Sequence, residues 1–97
     1  MAVTVLLELQ INEVDVDKTK QLFKETLGDT RAYAGFIDIE VFCNQGEATN
    51  LVLVEKWESR EAYESYVAWR RETGFFDRLE PMLAAPPSIR YFDPVDA

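Results

Sequence analysis

From Val3 to Ile11 the chain alternates, with Val3, Val5, Leu7, Leu9 and Ile11 on one parity and Thr4, Leu6, Glu8 and Gln10 on the other. A period of two is that of a strand with one buried face. The period then lengthens: Thr19, Leu22, Phe23, Thr26, Leu27 and Thr30 recur three and four apart, which predicts a helix capped by Asp15 or Asp17 and running to about Tyr33. Gly28 within it costs about 1 kcal/mol of propensity against Ala, enough to weaken or kink a turn. Gly35 ends the helix, and alternation returns in Gly35–Phe42, with Ile37, Ile39, Val41 and Cys43 on one face and Phe36, Asp38, Glu40 and Phe42 on the other. Asn44-Gln45-Gly46 reads as a turn and Leu51–Glu58 as a third strand, so these two strands form a hairpin.

Ser59 is placed to cap a second helix, with Glu61 in its first turn and Ala62, Tyr63, Tyr66 and Val67 facing inward. Gly74 interrupts that helix. Phe75, Phe76, Leu79, Met82 and Leu83 resume helical spacing until Pro86-Pro87 stops it, and Ser88–Phe92 forms a last strand before an unanchored tail, Asp93–Ala97. The order βαββα(α)β belongs to the α+β class and predicts a ferredoxin-like βαββαβ sandwich, an antiparallel sheet with helices on one face. The strands carry large apolar residues on both faces: Leu6 opposes Leu7, Phe36 and Phe42 oppose Ile37 and Val41, and Val52 and Val54 oppose Leu51 and Leu53. The face without helices needs a cover, and a homodimer packed sheet against sheet supplies one.

Composition narrows the chemistry. With 97 residues there is room for a single domain, and a chain of this size buries about 65% of its extended surface, enough for one core and little more. Eighteen acidic against ten basic residues give a net charge of -8, and the Arg70-Arg71 pair is followed by Glu72, so no nucleic-acid partner is expected. The absence of His excludes His-based zinc sites, a Ser-His-Asp triad and a Cys-His pair, while the single Cys43 has no internal disulfide partner. Cys43 reads as a small buried hydrophobe. The N-terminal apolar run lacks a basic flank and is broken at Glu8, which predicts neither a signal peptide nor a membrane span and makes the cytoplasm the default location. No cofactor is expected, since there is no Gly-rich dinucleotide fingerprint, phosphate loop or cluster with metal-ligand spacing; a flavin borrowed from a partner stays open.

The segments Gly35-Phe36-Ile37-Asp38-Ile39-Glu40-Val41-Phe42, Glu55-Lys56-Trp57, Ser59-Arg60-Glu61-Ala62, Phe75-Phe76-Asp77-Arg78-Leu79 and Ile89-Arg90-Tyr91-Phe92 resemble the antibiotic biosynthesis monooxygenase family of dimeric α+β barrels. The resemblance spans nearly the whole chain in element order. It implies a homodimer with a pocket in each subunit between helices and sheet. Its characterised members include cofactor-free oxygenases of polyketide phenols and anthrones, quinol oxygenases, haem-degrading enzymes and an isomerase of a small sugar derivative. Members often carry a His in the second helix and another just after it, where this chain has Tyr66 and Phe75; haem ligation is thereby excluded unless Tyr66 substitutes.

A cofactor-free oxygenase needs an apolar pocket for a flat phenol, a group that favours the phenol's anion, and room for dioxygen. Without imidazole the base must be a carboxylate whose pKa is raised by burial, and Asp38 and Glu40, in period with Phe36 and Phe42, are candidates. They read equally as members of a wet rim paired with Lys or Arg. Tyr66, Trp69 and Arg70 lie about one turn apart on the second helix, so two rings and a guanidinium can line one wall, Arg70 steadying a phenolate and Trp69 stacking on it. The alternative is helix-core packing for Tyr66, with Trp69 and Arg70 covering its edge or the dimer surface. Trp57 is either a pocket wall or a core or interface anchor. Phe75 and Phe76 after Gly74 fit a pocket mouth or the core, and Arg90 shares a strand face with Phe92, where it would meet a carboxylate of a second copy. Three functions follow: a cofactor-free monooxygenase of an aromatic phenol, hydroquinone or anthrone; a binding module with the same pocket and no turnover; or an interaction module whose pocket is plugged by Tyr66, Trp69 and Phe75.

Overall fold

A computed structural model describes residues 2–97. Four strands, β1 (Val3–Gln10), β2 (Phe36–Asn44), β3 (Glu47–Trp57) and β4 (Ser88–Phe92), form one antiparallel sheet in the order β2-β3-β1-β4. Helices α1 (Val16–Arg31), α2 (Arg60–Glu72) and the short α3 (Phe75–Leu79) accompany it. The α+β ferredoxin-like arrangement is thus observed. The β1 parity holds: Val3, Val5, Leu9 and Ile11 are buried beneath the helices. In β3 the inward set is Leu51, Leu53, Glu55 and Trp57, and Trp57 is fully buried.

Several boundaries differ for identifiable reasons. The Asp15 side chain accepts from Asn12 Nδ2 at 3.3 Å rather than capping α1, and a 3-10 turn over Glu13–Asp15 leads into the helix. The helix runs unbroken through Gly28 and ends at Arg31, with Ala32 N–H bonded to the Gly28 carbonyl. β3 begins at Glu47, four residues before the apolar run, because Asn50 is buried with its amide donating to the Leu9 carbonyl and Glu8 Oε2, both at 3.2 Å.

The largest correction lies in β2. A bulge between Phe36 and Asp38 places Phe36 opposite Trp57 and Asp38 opposite Lys56, so Phe36 faces the helices and Ile37 is turned out. Ile39 keeps its inward position, opposite Glu55. Cys43 is exposed rather than buried, at the open end of this edge strand. Ser59 does cap α2, its Oγ accepting from Ala62 N–H at 3.1 Å, and Gly74, at φ 80°, separates α2 from α3. Arg90 meets Glu8 of its own chain, at 3.5 Å. On the face away from the helices, Leu6, Val52 and Val54 are half-buried and Ile37, Phe42 and Phe92 exposed.

Gly35, at φ 87°, brings the chain so close to α2 that a Cβ there would lie 2.6 Å from the Cβ of Ala62. A left-handed backbone and a clash act together, so Gly35→Ala is expected to cost about 2–4 kcal/mol. Nothing lies within 4 Å of a Cβ at Gly28, so Gly28→Ala should add about 1 kcal/mol. Urea unfolding of both variants at one protein concentration checks the pair; equal midpoints would refute this account of Gly35.

Candidate functional site

The core divides in two. Leu9, Ile11, Leu22, Phe23, Ile39, Leu51, Leu53 and Leu79 form an aliphatic half, and Val3, Val5, Trp57, Tyr63 and Tyr66 form an aromatic one. Between the halves lies a cavity of about 50 Å3, walled by residues of the sheet, α1, α2 and α3. A buried water occupies on the order of 10–15 Å3 by the same measure, so the resting cavity has room for a few waters or dioxygen. A bound aromatic ring requires its walls to move.

Two ionisable side chains of opposite sign border this apolar space, and both are buried: Glu55 is 2% and Arg70 4% exposed. Glu55 reaches it because β3 alternation sets it in phase with Leu53 and Trp57. Burial pushes its carboxyl up to about 7, and the hydrogen bond from Trp57 Nε1 to Oε1, 3.1 Å, only partly opposes this. Arg70 comes from the inward stripe of α2 that also presents Tyr63 and Tyr66. Its Nε donates to Tyr66 Oη at 2.8 Å, and its Nη2 donates to the Thr26 carbonyl at 2.7 Å and to Thr30 Oγ1 at 2.8 Å. The Tyr66 and Thr30 hydroxyls are themselves 2.6 Å apart. Rings of Trp69 and Phe75 flank the guanidinium, with centroids 4.8 and 4.9 Å from its Cζ.

Of the residues singled out in the sequence, Arg70, Tyr66, Phe75 and Phe76 line the cavity. Trp69 stands outside that wall, half-buried and stacked with Tyr33 and Tyr66. Trp57 is also outside the lining and meets it only through the bond its Nε1 donates to Glu55. Asp38 and Glu40 are not part of the site: paired with Lys56 and Val54, they are exposed on the opposite face of the sheet. Glu55 was the residue that sequence reasoning passed over. Its signal was present, a carboxylate in phase with Leu51, Leu53 and Trp57.

The Tyr66 hydroxyl is engaged on both sides, by Thr30 and Arg70, and burial raises its pKa against the pull of those two bonds. It does not fit the role of an iron ligand. Among the described residues no three His, Cys, Asp or Glu side chains are grouped to hold a metal ion, and no helix is long and apolar enough to cross a membrane.

Residues 2–75 match the family model described as antibiotic biosynthesis monooxygenase. The chain belongs to the antibiotic biosynthesis monooxygenase family. The matched span includes Glu55, Tyr66, Arg70 and Phe75. Among solved structures, an antibiotic biosynthesis monooxygenase aligns with TM-score 0.87 at 19% identity, covering 97% of this chain and 99% of its own. A conserved protein from Methanosarcina mazei Go1 gives 0.86 at 20% identity, covering 95% and 91%. SnoaB, a cofactor-independent oxygenase from Streptomyces nogalater crystallised as a point mutant, gives 0.83 at 12% identity, covering 99% and 95%. At these identities the likeness is one of fold. A search of curated proteins found no match.

The raised pKa of Glu55 has a thermodynamic consequence. The folded protein holds this proton more tightly than the unfolded chain, whose carboxyl titrates near 4.5. The stabilising contribution is complete below that value and is lost as pH rises through about 7, for a total of about 3 kcal/mol. Glu55→Gln should flatten stability over this interval, measured by urea unfolding from pH 4 to 8; an unchanged slope would place the titration elsewhere.

Proposed function

We propose that this protein is a cofactor-independent monooxygenase that oxidises a small phenol, hydroquinone or anthrone with dioxygen in the cavity between helices and sheet. One observation carries the reading: among the described residues Glu55 and Arg70 are the only buried charged side chains, and both border the same apolar cavity. Buried opposite charges that do not pair with each other are costly, and they are expected where a reaction separates charge. Family membership and the oxygenase SnoaB among the structural neighbours agree with it.

For a phenol, Glu55 accepts the hydroxyl proton and Arg70 holds the resulting oxyanion, in surroundings of low polarity where both interactions are strong. Trp57 occupies Oε1 of Glu55 and keeps the carboxylate oriented toward the cavity. The phenolate is the reductant. A C–O bond forms between dioxygen and the ring carbon para to the oxyanion, the O–O bond then breaks, one oxygen remains as the new quinone carbonyl and the other leaves as water. The two hydrogens of that water are those lost from the ring carbon and the phenol, and the substrate supplies all four electrons.

The roles assigned to Asp38 and Glu40 by sequence therefore pass to Glu55, while Tyr66, Phe75 and Phe76 are walls and Trp69 backs Arg70. A second reading, an interaction module whose pocket is filled by its own side chains, is favoured by one observation, a resting cavity too small for a ring. The homodimer remains part of the proposal: a second copy packed on Leu6, Val52, Val54, Ile37, Phe42 and Phe92 would cover the apolar outer face. Light scattering at low micromolar concentration should then give twice the 11.2 kDa chain mass, and the chain mass alone would refute it.

Oxygen uptake by metal-stripped protein with a panel of hydroquinones, anthrones and phenols should exceed the spontaneous rate. Glu55→Gln should lower kcat by at least about 100-fold. Because the base works deprotonated, kcat/KM should rise with pH to a plateau, with a midpoint near 7. Ligand quenching of tryptophan fluorescence with no uptake would select the binding reading.

A further inference from the structure

We propose that the cavity takes its ligand as a small organic monoanion, its oxygen on Nη1 of Arg70 and an apolar body of about one ring against the aliphatic half of the core; this rests on the cavity being the working site. Arg70 keeps its charge at any pH a protein tolerates. Among the described residues it makes no ion pair, since its Nε and Nη2 bonds all go to neutral oxygens of Thr26, Thr30 and Tyr66. Nη1 enters none of these bonds. Among the described residues no buried side-chain nitrogen or oxygen lacks a partner, so Nη1 keeps some accessible surface, and the cavity that Arg70 lines is where a ligand oxygen would meet it. A buried guanidinium with one donor nitrogen presented to an apolar chamber is an anion site by its chemistry.

The remaining lining limits what the anion is. No second cation borders the cavity, so a dianion such as a phosphate monoester would bring one charge without compensation. The other polar groups are phenol hydroxyls of Tyr63 and Tyr66 and the carboxyl of Glu55. The titratable groups near Glu55 are Tyr63 and Tyr66 on α2, with Tyr91 on β4 meeting Tyr63 at a centroid distance of 5.9 Å, while Arg70 lines the same cavity. The cross-strand neighbours of Glu55, Val5 and Ile39, are apolar, and α1 adds Phe23 and Leu27 to the lining. None of these compensates a second negative charge. The bound state is therefore an anion on Arg70 with a proton on Glu55. A phenol delivers that proton from its own hydroxyl, and a carboxylate draws it from solvent. Both routes end in the same charge pattern, which selects acidic phenols, enols and carboxylates over neutral or doubly charged analogues.

Benzoate, benzamide and phthalate test this without oxidation. All are titrated against the whole protein, with quenching of Trp57 and Trp69, whose rings lie 4.9 and 6.2 Å from Tyr66, as the readout. Benzoate should bind at least tenfold more tightly than benzamide and phthalate. Its affinity should fall above neutral pH, by up to about tenfold per pH unit, with one proton taken up per ligand, and this dependence should vanish in Glu55→Gln. Arg70→Gln should abolish the preference over benzamide. Absence of benzoate binding, parity with benzamide, or an unaffected Arg70→Gln overturns the proposal. The comparison of ligands and the pH series use the unaltered protein and decide the matter even if Arg70→Gln fails to fold. Benzoate binding without oxygen uptake from any phenol would refute the monooxygenase while leaving the anion site intact.

Discussion

The guanidinium of Arg70 is buried and always charged, so the protein must do for it what water would otherwise do. Three oxygens and two flanking rings meet that need, and they come from α1, α2 and α3 together. The helix layer is thus held around a charge rather than only against an oily surface. This accounts for Thr30 in the buried stripe of α1, where a leucine would have packed more simply. Thr30 supplies a hydroxyl to both Arg70 and Tyr66, and Thr26 supplies its carbonyl while its own hydroxyl bonds back to Leu22 at 2.7 Å. Replacing any of these oxygens by carbon would strand a polar atom in the interior.

The remaining architecture sets the distance between that charge and its opposite. Gly35 lets α2 approach the start of β2, which seats Trp57 between Phe36 and Tyr66 at centroid separations of 5.5 and 4.9 Å. Trp57 in turn holds Glu55. The aromatic half of the core is densely connected, with edge and tilted contacts linking Tyr33, Trp57, Tyr63, Tyr66 and Trp69. The opposite wall is a helix of one turn set off by a left-handed Gly74. The cavity thus lies between a densely connected aromatic cluster and a single short turn that carries Phe75 and Phe76.

Most of the fold could be read from the chain because period and punctuation agreed. The parity of Val3–Ile11, the cap at Ser59, the break at Gly74 and the strand Ser88–Phe92 all have local causes. The bulge in β2 does not: whether Phe36 or Ile37 turns inward depends on which of them meets Trp57, a partner in another strand. The buried carboxylate escaped the pattern for the same reason. Asp38 and Glu40 drew attention through two neighbouring phenylalanines, and the extra residue breaks the parity that linked them to Phe36. Glu55 sat in a run whose apolar neighbours disguised a carboxylate in a core position. That Arg70, Tyr66, Phe75 and Phe76 share one cavity wall is legible because i, i+4 spacing and a glycine break are features of a single helix and its end.

That same bulge gives β2 a property a regular strand lacks. In an unbroken strand, inward and outward residues are locked in alternation, so a change in length at one point exchanges the two faces all along it. With one residue spare, Phe36 and Ile39 both serve the interior while Ile37 and Phe42 serve the exterior, and the two surfaces of the sheet meet separate demands. The outward side of this edge can therefore change residue by residue without disturbing Ile39 in the cavity wall.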